Sequence, residues 1–296
     1  NKIEKVALGN KVKVAISTGD FENIEKNLEK SNVLILTNEK MDSVIRHGAE
    51  WVEDIGLVIS DEVHLIGDES RGPTLEMILT QLKLLETKPQ IVGLSATITN
   101  SDEIADWLEC KLVENDWRPV PLSEGVCDED QVTMSDGKTF EVERSLMGTP
   151  IDLGVQSVKE GGQSLVFAET RTRSKSLATK AADTISKILE KKEINELEKT
   201  SKKLLSENEH TDLVKTLATL VKKGVAFHHA GLNQKCRETI ETEFRKGTIK
   251  LLSSTPTLAA GVNLPARRVV ISNVNRYNAK VGANRPISIL EYKQLC

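Results

Sequence analysis

Short apolar runs alternate with longer amphipathic stretches along most of the chain. Up to residue 118, four runs of four or five residues are rich in Val, Ile and Leu, which is typical of buried strands. The stretches between them repeat their apolar residues at helical spacing. Strands that alternate with helices predict the parallel sheets of an α/β fold. The predicted strands are 12–16, 33–37, 57–60 and 91–95, and the predicted helices include 41–52 and 75–85.

A polar segment with two prolines, residues 115–125, interrupts this pattern. Polar clusters with proline mark loops, so we expect a domain boundary here. Beyond it, Asp136-Gly137 lies between two alternating runs and predicts a tight hairpin. Four more strands are expected at 164–168, 225–227, 250–253 and 268–272. The pattern therefore predicts two α/β domains with mainly parallel sheets, 1–118 and 119–296.

The segment between the strands at 164–168 and 225–227 is helical by its pattern. Two sets of apolar residues recur at helical spacing, and such stripes usually face a core. We assign them packing and no chemistry. They are Leu177, Ala181, Ile185, Ile188 and Leu189, followed by Leu213, Leu217, Leu220 and Val221.

Composition changes this picture only a little. The net charge is −4, but residues 1–118 carry −9 and residues 119–296 carry +5. Such asymmetry fits local contacts with phosphates in the second half better than general coating of nucleic acid. No apolar stretch reaches the roughly 20 residues of a membrane span, and no signal peptide is visible. The four cysteines lack zinc or disulfide spacing, so we expect an intracellular protein with reduced thiols.

Two adjacent carboxylates, Asp61 and Glu62, follow the predicted strand 57–60, with His64 close behind. Ligands of open α/β sheets bind beyond the carboxyl ends of strands, so a nucleotide could reach these groups. An Asp there can hold a phosphate-bound magnesium ion, and a neighbouring Glu can activate a water. The competing interpretation is an ordinary helix cap.

Polar side chains follow other predicted strands as well, and their order along the chain matches that of a known set of motifs. Four segments resemble motifs II, III, IV and V of the superfamily 2 helicases, which are ATP-driven motors with two RecA-like domains. They are Asp61 to His64, Ser95 to Thr97, Thr170-Arg171 and Ser254 to Pro265. Further segments are similar to the Ski-type branch, above all to the archaeal Hjm family and its relatives HELQ and the helicase domain of DNA polymerase theta. These are Thr18-Gly19-Asp20, 37–42, 117–122, 228–232 and 291–294.

The resemblance implies ATP and Mg²⁺ as cofactors. In its pattern Asp61, Glu62, His64, Ser95 and Thr97 are catalytic, Asp61 holds the metal, and Gly261 and Asn263 join Asp61 and Glu62 in binding the nucleotide. The phosphate loop G-x-x-x-x-G-K-[ST] is missing, because Val132 stands where Gly137-Lys138-Thr139 would need its first glycine. We therefore expect an internal segment of the motor, incomplete in its first domain before Asn1 and in its second after Cys296. On its own this segment should hydrolyse ATP no faster than background.

Nucleic-acid contacts are predicted from hydroxyls and small residues at strand ends, where a backbone phosphate can approach. The candidates are Thr18, Gly19, Thr37, Lys40, Thr170, Arg171, Ser254 and Thr255. A capped helix start explains Thr37 and Lys40 equally well. Of His228 and His229, we expect one in the core and one facing a cleft, and the family pattern favours His229 as the exposed one.

A polar segment, 273–285, lies between two stretches predicted to be extended, 269–274 and 286–290. It predicts a projecting hairpin, and in the Hjm family a hairpin at this place separates duplex strands. The resemblance thus gives Arg276, Tyr277 and Lys280 a role at the fork, although an ordinary surface hairpin fits the sequence alone.

The resemblance as a whole implies a monomeric DNA helicase that moves 3′ to 5′ on single-stranded and forked DNA beside replication or repair proteins. It would work in the cytoplasm of an archaeon or the nucleus of a eukaryote, and not at a membrane. Motor motifs that contact the backbone cannot distinguish DNA from RNA, so an RNA helicase remains an alternative. A nucleic-acid-binding module without turnover is the alternative from another class.

Overall fold

The chain divides into two compact units, residues 1–116 and 117–296. A computed structural model describes residues 12–17, 28–95, 98, 100–115, 117–118, 120–145, 148–258, 264–278 and 282–296. The α/β prediction is confirmed, since parallel strands alternate with helices in both units. We describe each unit by itself.

The described residues of the first unit form two parallel strand pairs. β1 pairs with β2 and β3 pairs with β4, each over four residues in register. The strand predicted at 57–60 is observed at those residues, and the others begin or end within two residues of their predicted limits. The bounds are β1 Val14–Ser17, β2 Val33–Leu36, β3 Leu57–Ser60 and β4 Gln90–Gly93.

Only one face of these strands is covered by described residues. Along β3, Val58 and Ser60 turn inward, whereas Leu57 and Ile59 are 53% and 61% exposed. Successive side chains of a strand point to opposite faces, which produces this alternation. The continuous apolar run predicted burial on both faces, and among the described residues that part of the prediction is wrong.

The helices of the first unit pack against the covered face. α1 and α2 contact each other around Val44, Val52, Ile78 and Leu82, and a second cluster joins Val63 to Leu79 and Leu108. The helix predicted at 41–52 ends early, because Gly48 takes a left-handed conformation. The bounds are α1 Asn38–Arg46, α2 Gly72–Lys83 and α3 Ser101–Leu108, with short 3-10 helices at Leu28–Lys30, Glu50–Asp54 and Val63–Gly67.

The second unit is built on a four-stranded parallel sheet in the order β11-β8-β10-β9. The two inner strands, β8 and β10, and the edge strand β9 are buried at every residue, as their apolar runs predicted. Helices flank the sheet, and one continuous core includes Phe227, Phe244 and Ile151. The bounds are β8 Ser164–Phe167, β9 Val225–His228, β10 Leu251–Ser254 and β11 Arg268–Ile271, with α4 Thr149–Lys159, α5 Arg171–Ser186, α6 Lys191–Glu207, α7 Asp212–Lys222 and α8 Gln234–Arg245.

The helical stripes face this core as predicted, with one exception. Leu177, Ile185, Leu217 and Val221 are all buried. Ile188 is 40% exposed because α5 has already ended at Ser186.

Antiparallel strands complete the second unit. β5 (Gly125–Asp128), β6 (Gln131–Met134) and β7 (Thr139–Glu141) form one sheet, with Gly137 at positive φ in the predicted hairpin turn. β12 (Asn275–Asn278) pairs with β13 (Ala283–Pro286), so the polar segment itself forms the second hairpin. The predicted extended flank 286–290 is wrong beyond residue 288, where Ser288 caps α9 (Ile289–Leu295).

None of the helices in the described part of the chain combines the length and apolar composition that a bilayer crossing requires.

Candidate functional site

The acidic strand end follows β3 directly. Asp61 and Glu62 are both exposed, and Glu62 adopts a left-handed conformation with φ 53° and ψ 42°. The Asp61 carboxylate accepts a hydrogen bond from the Glu62 backbone N–H at 2.9 Å. This sharp turn presents two carboxylates to solvent at the carboxyl end of a parallel strand.

His64 links this turn to the end of the neighbouring strand β4. Its Nε2 lies 3.2 Å from Glu62 Oε2, and its Nδ1 lies 3.2 Å from the Ser95 hydroxyl. The ring is almost wholly buried, whereas its partners Glu62 and Ser95 are exposed. A nitrogen that faces a carboxylate donates its proton, and in a neutral ring the other nitrogen then accepts from Ser95. Glu62, His64 and Ser95 thus form a connected chain of polar groups.

The exposed carboxylate of Asp61 suits a magnesium ion, which prefers hard oxygen ligands. The described residues contain no group of three or more His, Cys, Asp or Glu side chains that could hold a metal by themselves. Magnesium at phosphates is usually held by one or two carboxylates together with waters and phosphate oxygens. The donor set at Asp61 is therefore compatible with an ion that arrives with a nucleotide.

Each unit also has a threonine at the step from a strand into a helix. Thr37 Oγ1 accepts the Lys40 backbone N–H at 3.3 Å at the start of α1, and Thr170 Oγ1 accepts the Arg173 N–H at 3.1 Å at the start of α5. Both are helix N-caps, as the simpler interpretation held. The first backbone amides of each helix still point outward, where an anion can bind. The Lys40 side chain is buried, so its hydrocarbon stem packs against the unit.

The end of β10 lies beside these groups in the second unit. The Ser254 hydroxyl donates to the carbonyl oxygen of His228 at 3.1 Å and is fully buried. Its predicted contact with a nucleic acid is therefore wrong for this structure, because the hydroxyl ties β10 to β9 instead. Thr255 and Thr257 follow, with their hydroxyl oxygens 2.9 Å apart.

Both histidines at the end of β9 are buried, so the expectation that His229 is exposed is wrong. The His229 ring stacks on Phe227 with centroids 5.4 Å apart, and its Nδ1 accepts the Gly231 N–H at 3.1 Å. Burial lowers the pKa of His229, and the positive charge of Arg171 lowers it further. Burial also lowers the pKa of His228, although its contact with Glu241 at 3.0 Å opposes that shift.

A pocket of about 330 Å³ opens at these strand ends of the second unit. Arg276, at the base of the hairpin, reaches it and pairs with Glu291 of α9 through Nε at 3.1 Å. The lining combines cations, hydroxyls and two carboxylates. It consists of Glu169, Thr170, Arg171, Ala230, Thr255, Pro256, Thr257, Arg276 and Glu291.

Comparison with known proteins matches both halves of the chain. Residues 1–104 match the DEAD/DEAH box helicase model, and residues 197–281 match the helicase conserved C-terminal domain model. The chain is 43% identical over 284 residues to the ATP-dependent DNA helicase Hel308 of Methanocella arvoryzae, covering 96% of this chain and 38% of that protein. It is 44% identical over 274 residues to the same helicase of Methanococcus vannielii, covering 90% and 36%.

A third relative, Hel308 of Pyrobaculum calidifontis, is 41% identical over 286 residues and is matched over 96% of this chain and 40% of its own length. Over at least 90% of its length the chain is thus similar to proteins named ATP-dependent DNA helicase. It spans about two fifths of the length of the curated relatives it matches.

The structure brings together some of the predicted site residues and leaves others undescribed. Glu62, His64 and Ser95 lie in one connected group, and Thr170, Arg171 and Thr255 line one pocket with Arg276. The side chain of Tyr277 is not described. Thr18, Gly19, Thr97, Gly261, Asn263 and Lys280 lie outside the described residues.

Sequence reasoning missed three polar lining residues of the pocket, Glu169, Thr257 and Glu291, besides Ala230 and Pro256. Glu291 was noted only as part of a family marker, and nothing local indicated that it meets Arg276 fifteen positions earlier. Glu169 lies next to Thr170 after β8, and Thr257 lies two residues beyond Thr255 after β10. Their position just after a strand could therefore have indicated that they line the same site.

Proposed function

We propose that this chain forms the motor portion of an ATP-dependent DNA helicase that moves 3′ to 5′ and unwinds forked DNA during repair. The observation that carries the proposal is the connected group Glu62, His64 and Ser95 at the ends of two parallel strands. Its support is the high identity to proteins named ATP-dependent DNA helicase. In this proposal units 1–116 and 117–296 correspond to the ATP-binding domain predicted at 1–118 and the C-terminal domain predicted at 119–296.

Asp61 and Glu62 divide the nucleotide chemistry between them. Asp61 would hold Mg²⁺, which neutralises charge on the phosphates when it is bound. Glu62 would orient an attacking water and accept its proton, because its side chain is half exposed while one carboxylate oxygen contacts His64. His64 fixes the Glu62 carboxylate through Nε2 and is itself fixed by Ser95. Thr97, Gly261 and Asn263 belong to the same proposal on the family pattern alone.

The nucleic acid would follow the carboxyl ends of the strands in both units. The helix starts after Thr37 and Thr170 offer backbone amides, and Arg171 and Thr255 offer side-chain donors. Contacts of this kind bind phosphates and do not select sequence. The hairpin of β12 and β13 would act at the duplex junction. Replication or repair proteins would be its partners, but no residue of the chain indicates which ones.

Glu62→Gln tests the catalytic part of this proposal. The amide keeps the shape of the side chain but cannot accept the water's proton, so DNA-stimulated ATP hydrolysis should fall by roughly 10²- to 10⁴-fold. ATP binding and DNA binding should persist. The measurement is the rate of phosphate release by the full-length protein in the presence of single-stranded DNA.

Glu109→Gln is the matched control. Glu109 is also an exposed glutamate of the first unit in a left-handed conformation, with φ 56°, but it pairs with Lys83 away from the acidic strand end. Its variant should hydrolyse ATP at the wild-type rate. If Glu62→Gln unwinds DNA at the wild-type rate, Glu62 is not the base. Activation by RNA and not by DNA would favour the RNA helicase, and no turnover by wild type would favour a binding module.

A further inference from the structure

Arg276 is held in the pocket of the second unit and does not project with the hairpin tip. It lies in β12, but its side chain is only 23% exposed because it turns toward α9. Nε donates to Glu291 Oε1 at 3.1 Å. Nη2 is shielded from solvent and has no hydrogen-bond partner among the described residues.

A shielded guanidinium nitrogen without an acceptor is unfavourable. Leaving a buried donor unsatisfied costs about 1–3 kcal/mol, and more for a charged group. Buried polar groups of this kind usually mark an absent ion, water or ligand. Nη2 itself is closed off, but Arg276 also lines an open pocket, where an acceptor can meet the accessible part of the same side chain.

The other lining groups indicate which acceptor fits. Arg171 and the hydroxyls of Thr170, Thr255 and Thr257 are donors around the same space. The charges of Arg171 and Arg276 are balanced by Glu169 and Glu291, so net charge does not attract the ligand. Several directed donors around one small space suit an oxyanion, and a guanidinium can serve a carboxylate and a phosphate with different nitrogens.

We propose that Glu291 is a positioning residue that holds Arg276 in this pocket, where the guanidinium donates to a phosphate oxygen of the bound strand. This assignment rests on the proposed function, since it names a contact within the same nucleic-acid site. It moves Arg276 from the fork, where the family resemblance put it, to the root of the hairpin. The hairpin is thereby anchored at a point where the strand itself is held.

Glu291→Ala tests the assignment because the two possible roles of Glu291 predict opposite signs. If Glu291 only adds negative charge beside the strand, its removal should strengthen binding. If it positions Arg276, removal should weaken binding of single-stranded DNA about tenfold, which corresponds to about 1.4 kcal/mol. The probe is a fluorescently labelled oligothymidylate strand titrated with the full-length protein at several salt concentrations.

The salt dependence distinguishes positioning from a general structural effect. One phosphate contact fewer should reduce the slope of log K against log salt by about 0.7 for a single strand. Arg276→Ala should give the same slope, and the double variant should lose nothing further, because both substitutions remove one contact. Glu291→Gln keeps an oxygen that accepts from Nε, so it should restore much of the affinity.

Glu160→Ala is the matched control. Glu160 pairs with Arg268 and Arg267 at the amino end of β11, the opposite edge of the same sheet, and is exposed to a similar extent as Glu291. Its variant should bind with the wild-type affinity and slope. The assignment is overturned if Glu291→Ala matches this control or binds more tightly, or if the double variant loses affinity additively. Wild-type protein without salt-dependent binding would instead remove the proposed function itself, and the assignment with it.

Discussion

Replacing Glu62 by glycine should leave the protein more stable than replacing it by alanine. In most positions the order is the reverse, because glycine has more conformational freedom to lose on folding. Glu62 is different because its φ of 53° and ψ of 42° lie in the left-handed region. Its Cβ is strained there, and only glycine lacks that atom.

The size of the difference follows from two opposing terms. A left-handed conformation costs an L-residue roughly 1–2 kcal/mol. The freer unfolded chain of glycine costs about 0.4–1 kcal/mol relative to alanine. Both variants lose the contact between Glu62 and His64, so that loss cancels in the comparison. Glycine should therefore be the more stable of the two by about 1 kcal/mol.

Urea unfolding followed by tryptophan fluorescence measures this difference in the first unit. Trp51 and Trp107 are both partly buried there, and a Trp117→Phe background removes the tryptophan of the second unit. With a denaturant slope of about 1–3 kcal/mol per molar, the midpoint should rise by roughly 0.3–1 M from alanine to glycine. Glu76, which is exposed inside α2, is the control, and there glycine should be less stable than alanine by about 1 kcal/mol.

An alanine variant at position 62 that is as stable as the glycine variant would refute the reasoning. The turn would then carry no strain. The left-handed conformation of Glu62 would in that case give no reason to think that a glutamate is retained there at a cost in stability. A strained non-glycine residue can persist where its side chain is needed, but Glu109 has the same conformation without a proposed catalytic role, so strain by itself does not mark the site.

Three further outcomes follow from the geometry. Gly72→Ala would place a Cβ 2.2 Å from the carbonyl oxygen of Ile66, so urea unfolding should show a loss of about 1–3 kcal/mol or more. Thr37→Ala and Thr170→Ala should each lower the free energy of unfolding by about 1 kcal/mol through loss of an N-cap, and urea unfolding should show that the two losses add because the residues lie in separate units. The folded-state pKa of His229 lies below its unfolded value through burial, so its stabilising contribution is present above the unfolded pKa and is lost as pH falls. Melting temperatures from pH 7.5 to about 5 should therefore decrease less in His229→Gln than in wild type.

The parallel strands could be predicted from the sequence because burial in a sheet leaves a short run of apolar or small residues. Runs such as Leu251 to Ser254 are apolar or small at each position, and β10 lies in the middle of its sheet. Helix ends were less predictable, since a single conformational choice at Gly48 stops α1 before its apolar pattern ends. The hairpin strands β12 and β13 were misplaced because their sequences show no alternation of apolar and polar residues, and β13 is exposed at every position. No hydrophobic periodicity marks a strand that buries nothing.

For the site, the sequence identified the strand ends but not the contacts between them. Asp61, Glu62 and His64 are neighbours in the chain, and their link to Ser95 follows from the pairing of β3 with β4. The fate of Ser254 could not be predicted, because its hydroxyl turns inward to a carbonyl of the adjacent strand. Side-chain direction at a strand end depends on which neighbour offers an acceptor, and that is a property of the folded sheet.

The two threonine caps show how one local solution recurs in both units. Thr37 follows β2 and Thr170 follows β8, and each hydroxyl accepts from the backbone N–H three residues ahead. This cap fixes the helix start but uses only one of its outward amides, so the amides at the first two helical positions stay available to a phosphate. Each unit therefore presents a helix start of the same design at the carboxyl end of a strand, and each helix start can bind a phosphate by itself.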